Sequence, residues 1–122
     1  HLSIRRQRQM CIRDRYLEDA VPAYSPDGAR LALARKYIDA VRWTPGRQLW
    51  IMDADGENAR QITDDPHYNH FEFAWSPDGR QLAFVRFNQS ELTEPPELWL
   101  ADPVSRRTTL LQMGAYAPKW VP

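Results

Sequence analysis

Apolar and polar positions alternate where Phe71, Phe73 and Trp75 are separated by Glu72 and Ala74, the period of a strand. Short apolar runs follow at residues 31–34 and 82–85, and again at 49–52 and 98–101. Near-continuous runs of this length suit strands whose sheet is covered on both faces. Turn signals separate them. Tyr24-Ser25-Pro26-Asp27-Gly28 and Trp75-Ser76-Pro77-Asp78-Gly79 place Pro where φ must be near −65°, Asp next, and Gly where φ turns positive. Asp55-Gly56 predicts a tight hairpin. Its counterpart, Asp102-Pro103-Val104-Ser105, is also turn-forming, with the proline off the hydrogen-bond ladder. Fourth strands are expected near residues 59–63 and 108–112.

These elements recur in one order. The Ser-Pro-Asp-Gly turn, the Leu-Ala run and a Leu-Trp pair at Trp50 and Trp99 each appear twice, and self-similarity at this period marks a repeat architecture. The expected fold is all-β, with two four-stranded antiparallel units at about 20–66 and 67–114. Residues 115–122 begin a third copy, with Trp120 where Trp75 and Tyr24 stand. Either the sequence is cut there or this is a last strand closing a ring. The loss of Ser-Pro from Val121-Pro122 favours the closing strand.

The repeats resemble those of the TolB-like β-propeller family, whose WD-repeat-like blades carry W-S-P-D-G, L-A-F and L-W-x-x-D-A-D-G signatures. Residues 75–79, 82–84 and 49–56 match closely, and residues 102–105 depart from the Asp-Gly turn. The resemblance covers roughly residues 20–122. It implies radial four-stranded blades, in rings that usually hold 4–8 of them, so this chain is expected to be the C-terminal part of a larger propeller. The remaining blades are then its first partners, and residues 16–122 alone should be marginally stable. The resemblance also implies a periplasmic or extracellular location.

Charge changes the picture only at the start. The 122 residues have a formal net charge of zero, yet residues 1–15 hold five arginines against one acid. Arg5-Arg6-Gln7-Arg8-Gln9-Met10-Cys11-Ile12-Arg13-Asp14 resembles the conceptual translation of a transposase-type sequencing adapter. Residues 1–15 are therefore set aside, against the alternatives of a basic arm or a targeting peptide. Without them, 11 basic groups face 15 acidic ones, which gives nucleic-acid binding little support. The single cysteine, Cys11, leaves with that segment. No apolar run approaches membrane-spanning length.

Candidate chemistry concentrates on one end of the units. The tight turns share one face, and the longer connections, at residues 35–47, 64–70 and 86–97, share the other. Long loops on a rigid scaffold are where binding residues gather. Arg35 and Arg86 occupy matching positions there. They are read either as a carboxylate or phosphate grip or as structural ion pairs with Asp39, Glu72 or Glu91, the second being favoured. Tyr37, Trp43 and Phe87 form a candidate aromatic rim for a peptide or sugar, or else cap the hairpins. His67 and His70 stand close to Asp64 and Asp65, but His-x-x-His in a loop lacks the geometry to aim both rings at one ion, and no metal is expected. Residues 53–58 superficially resemble a calcium loop, yet flanking strands make them a hairpin turn. No G-x-S-x-G elbow is present. Glu94 and Glu97, separated by Pro95-Pro96, do not read as an acid–base pair. The expectation is a non-catalytic scaffold without cofactor, binding a protein, peptide or small ligand. The alternative is the gating propeller of a prolyl-oligopeptidase-type serine peptidase.

Overall fold

A computed structural model describes residues 17–114. The third-copy strand expected at 115–122 lies outside them. Two four-stranded antiparallel sheets follow each other along the chain, each in the sequential order of a meander. The first contains β1 (Leu17–Tyr24), β2 (Arg30–Tyr37), β3 (Gln48–Asp53) and β4 (Arg60–Gln61). The second contains β5 (Tyr68–Trp75), β6 (Leu82–Asn88), β7 (Glu97–Ala101) and β8 (Thr108–Met113). No helix occurs among the described residues, and so none long and apolar enough to cross a membrane.

The Ser-Pro-Asp-Gly turns are built identically. Ser25 Oγ donates to Asp27 (2.6 Å) and accepts from the Arg30 amide (3.0 Å), while Asp27 also accepts from the Ala29 amide (3.0 Å). Ser76, Asp78, Arg80 and Gln81 repeat this at 2.6, 3.0 and 3.0 Å. Gly28 and Gly79 sit at φ +72°, a left-handed conformation that glycine adopts without penalty. The serine hydroxyls, more than any other contact, hold the Asp27 and Asp78 carboxyls below their usual value.

Side-chain alternation gives each sheet two apolar faces. Ala32, Leu49, Ile51 and Ile62 of the first sheet meet Trp75, Leu82, Phe84 and Ala101 of the second in one buried cluster, with Trp99 packed against it. Leu31, Leu33 and Met52 form a separate cluster with Trp50 on the first sheet's other face. A single core face would have been enough for an isolated sheet. Apolar residues on both faces are the sequence's instruction to stack sheets side by side. At the turn end, the stack is pinned by polar contacts. Trp75 Nε1–H donates to the Ala23 carbonyl (2.9 Å), and Arg30 Nη2 donates to the Gly79 carbonyl (2.7 Å) with its guanidinium 5.1 Å from the Trp75 ring.

Three details differ from the sequence expectation. First, β2 and β6 run three residues past their apolar runs, through Tyr37 and Asn88, because β1 and β5 extend to pair with them. Second, β4 is only two residues long. Beyond it the Ile62 amide still donates to the Leu49 carbonyl (2.9 Å), but the Leu49 amide donates to a side chain, Thr63 Oγ1 (3.0 Å). Third, β1 and β5 each contain a bulge at the same repeat position, with Val21 and Glu72 both at φ +54°.

Candidate functional site

In a four-stranded meander the β1–β2 and β3–β4 turns fall at one end, and the β2–β3 loop and the link to the next sheet at the other. The loop end therefore gathers residues 38–47, 62–67 and 89–96. Backbone hydrogen bonds join them: the Gly46 amide to the Pro66 carbonyl (3.0 Å) and the Gln89 amide to the His67 carbonyl (2.7 Å). An ideal Cβ on Gly46 would lie 2.1 Å from the Tyr68 carbonyl oxygen, so a side chain there would force the loop off the second sheet.

Arg35 and Arg86 are strand residues, and both are paired. Arg35, 3% exposed, grips Asp19 through Nε (2.6 Å) and Nη2 (2.9 Å) and lies 5.1 Å from the Trp50 ring. Arg86 donates from Nε to Glu97 (2.7 Å) and from Nη1 to Asp65 (2.7 Å), tying the second sheet to the end of the first. Its guanidinium is stacked between Tyr68 (3.8 Å) and Trp99 (4.4 Å), the flat delocalised contact arginine makes and lysine does not. Trp99 Nε1–H reaches the same Glu97 oxygen at 2.9 Å. Tyr68 donates to Glu94 (3.3 Å). Its hydroxyl pKa is raised, by burial first and then by the Glu97 and Glu94 charges.

The aromatic residues separate into two groups. Phe87 is half-buried, edge-on to Phe71 at 5.3 Å. Tyr37 is half-buried under the Arg42 guanidinium (4.0 Å), which also pairs with Asp39 at 2.6 Å. Trp43, by contrast, is 54% exposed with Lys36 beside its ring (5.3 Å). Ile38 and Val41 (93% exposed) on the same loop, and Leu92 (69% exposed) on the second long loop, are also exposed apolar side chains.

The two histidines are not brought together. His67 is exposed, with Nδ1 2.9 Å from Ser90 Oγ. His70 is wholly buried on β5, its ring 5.4 Å from that of Phe84. Its Nδ1–H donates to the Arg47 carbonyl (2.8 Å), and its Nε2 has no partner among the described residues. Burial drives its pKa down to about 4. No group of three or more His, Cys, Asp or Glu side chains converges among the described residues. A cleft of about 290 Å³ opens between the sheets here, walled by Thr63, Asp65, His70, Phe84, Arg86 and Trp99 among others.

The sequence reading did not find Asp19, Asp65 and Glu97 as the arginines' partners. The signal was available in the repeat itself: Asp19 and His70 each stand five residues before the turn's aromatic residue, Tyr24 or Trp75. Each therefore lies across from its arginine in the strand register.

No protein-family profile matches the chain. It is 50% identical over 40 residues to the Tol-Pal system protein TolB of Albidiferax ferrireducens, an alignment covering 33% of this chain and 9% of that protein. It superposes on the structure of a putative TolB from Agrobacterium tumefaciens with a TM-score of 0.60 and 23% identity, over 79% of this chain and 34% of that one. The fold is that of a TolB-like β-propeller, and the two sheets are blades. An uncharacterized peptidase of Bacillus subtilis, YuxL, is 24% identical over 107 residues, covering 83% of this chain and 15% of the peptidase. The chain thus spans about a third or less of each of these proteins.

Proposed function

We propose that these blades belong to a non-catalytic, exported propeller that binds a protein or peptide partner through its loop-rich face. The supporting observation is the group of exposed apolar side chains on the two long loops: Ile38, Val41, Trp43 and Leu92. Apolar residues at the tips of loops add nothing to the core, and gathered on one face they suit a partner surface. Tyr37 and Phe87 are half-buried at the ends of the strands that lead into these loops, and Arg35 and Arg86 are held in ion pairs on the same strands. On the outer edge strand of the second sheet, Leu110, Leu111 and Met113 of β8 are about half exposed. They suit burial against the remaining blades of the ring, which would also remove the open sheet edge.

The test is selection of displayed peptides on the intact gene product, followed by Val41→Asp and Trp43→Ser. Loss of at least about tenfold in affinity, with the melting temperature unchanged, supports the reading. Val104→Asp, at the turn end, serves as the control. Failure to enrich any peptide, or equal binding by all variants, overturns it. The likeness to a peptidase over most of this chain favours one second reading, in which the propeller gates a serine peptidase domain. Labelling of the intact protein by a fluorophosphonate probe would establish that reading, and absence of labelling would remove it.

A further inference from the structure

Among the described residues, two buried side-chain atoms lack a hydrogen-bonding partner, Nε of Arg47 and Nε2 of His70. They belong to the two residues of one contact. The Arg47 carbonyl accepts both the backbone N–H (3.0 Å) and the Nδ1–H (2.8 Å) of His70. Beside it the Arg47 amide donates to Asn69 Oδ1 (3.0 Å), and the Gly46 amide donates to the Pro66 carbonyl (3.0 Å). Loop 38–47 is thus fastened to the start of the second blade at its last two residues. Nearer its tip the loop bonds to itself, Arg42 to the Asp39 carboxylate and the Trp43 amide to the Asp39 carbonyl. A polar atom buried without a partner costs free energy that contact with water gives back. Two such atoms at one fastening lower the cost of opening it locally.

Protonation acts on the same contact. A neutral imidazole has one N–H, which the Arg47 carbonyl accepts, and its bare Nε2 can sit buried in a ring packed against Phe84. The imidazolium carries a second N–H at Nε2, where the closed arrangement offers no acceptor. The surrounding charges do not remedy this. Arg86 of β6 opposes a second positive charge and Asp65 of the interblade link favours it, but Arg86 already holds both Asp65 and Glu97 of β7. Arg47 brings its own positive charge, paired with Glu18 of β1. Burial outweighs the rest, and the ring in place takes up its proton at about pH 4 instead of 6.5. His70 is held in register with Arg86 by the β5–β6 ladder, whereas residues 38–47 lie between strands. The loop is therefore the side that yields.

We propose that Arg47 and His70 form an acid-operated latch: protonation of His70 lifts loop 38–47 from the second blade while both sheets stay paired, and so unfixes the loop that carries Val41 and Trp43. Release of a bound partner at acid pH is the consequence, and that part rests on the loop-tip reading. The opening itself is measured without a partner, so the two fail separately. With the ordinary histidine pKa in the open form, the open population rises about 20-fold between pH 7 and 5.

The test is amide hydrogen exchange of the intact gene product, read as protection factors so that the intrinsic pH dependence of exchange cancels. The Gly46, Arg47 and His70 amides report the latch. The Ile62 amide, bonded to the Leu49 carbonyl inside the first sheet (2.9 Å), reports the sheet. Protection of the three latch amides should fall about 20-fold from pH 7 to 5. It should not change in about 1 M urea, because a local opening exposes little surface, whereas protection of Ile62 should fall. His70→Phe and His70→Gln do not titrate, and each should abolish the pH response, so either serves if the other fails to fold. Constant protection of the latch amides between pH 7 and 5 overturns the proposal. Urea sensitivity equal to that of Ile62 overturns it too, by making the opening global. A full pH response in either variant does the same, by assigning the opening to another group.

Discussion

His70 should make the protein acid-sensitive well above the range in which its carboxylates protonate. The ring is wholly buried and its pKa falls from 6.5 to about 4, chiefly because burial strips the charged form of water. The Arg86 charge lowers it further, while the Asp65 charge and the Arg47 carbonyl oppose the shift. Between pH 6.5 and 4 the unfolded chain takes up a proton that the native protein refuses, so stability drops as pH falls through that window and this group adds no loss below it. At 1.36 kcal/mol per pKa unit, the shift amounts to about 3 kcal/mol. The assay is urea unfolding of the intact protein at pH 7, 5.5 and 4. His70→Phe keeps the ring's bulk beside Phe84 and removes the titration, so its pH slope in this window should be shallower by that amount. His67→Asn, altering an exposed imidazole, should retain the full slope. Asp27 and Asp78 do not confuse the reading. Their depressed values put their loss of stabilisation below pH 3.8. Coincident slopes for wild type and His70→Phe would refute the account, whatever the absolute stabilities.

Phe84→Ala should cost about 3–5 kcal/mol, since Phe84 is buried at the centre of the cluster shared by the two blades. Val104→Ala, on a turn and 83% exposed, should stay within about 0.5 kcal/mol, both read from denaturant midpoints. Gly28→Ala should cost about 1 kcal/mol, because its added Cβ meets open space and only the positive φ resists it. Gly46→Ala should cost more, because its Cβ collides with the backbone of Tyr68, and a smaller loss than for Gly28→Ala would count against that contact. Arg86→Met should destabilise by about 3 kcal/mol, by stranding Glu97 and Asp65. Arg86→Lys should recover only part of that loss in the same assay, lacking the flat fork that spans both acids.

The fold was legible because its signals are local and repeated. Ser-Pro-Asp-Gly specifies its own turn through side-chain hydrogen bonds between residues two and five apart. Leu31, Leu33 and Met52 against Ala32, Leu49 and Ile51 display their two faces through simple alternation. Strand ends were less legible. Arg35-Lys36-Tyr37 reads as the start of a loop by composition, and pairing with Leu17–Asp19 keeps it in the sheet. The burial of His70 could not be read from its neighbours either. Asn69 and His67 suggest an exposed polar stretch, whereas β5 sets His70 inward against Phe84 and the Arg47 carbonyl. Asp65 reads naturally with the nearby histidines, yet its contact is with Arg86, 21 residues away. What a residue touches across a blade boundary depends on how two sheets stack, and no local pattern encodes that.

The same comparison explains how one repeat position changes the way the blades are joined. A repeat protein reuses one packing solution, and the first blade shows that solution closed: Arg35 and Asp19 satisfy each other inside a single sheet. Replacing the aspartate position by His70 gives up that closure. The second blade then recruits Asp65 from the connection to its neighbour, so the ion pair becomes a link between sheets. Its counterpart at the turn end, Arg30 on the Gly79 carbonyl and Trp75 on the Ala23 carbonyl, fixes the same boundary from the other side. The boundary between the blades is thus pinned at both ends, by Asp65 on Arg86 at the loop end and by Arg30 and Trp75 at the turn end.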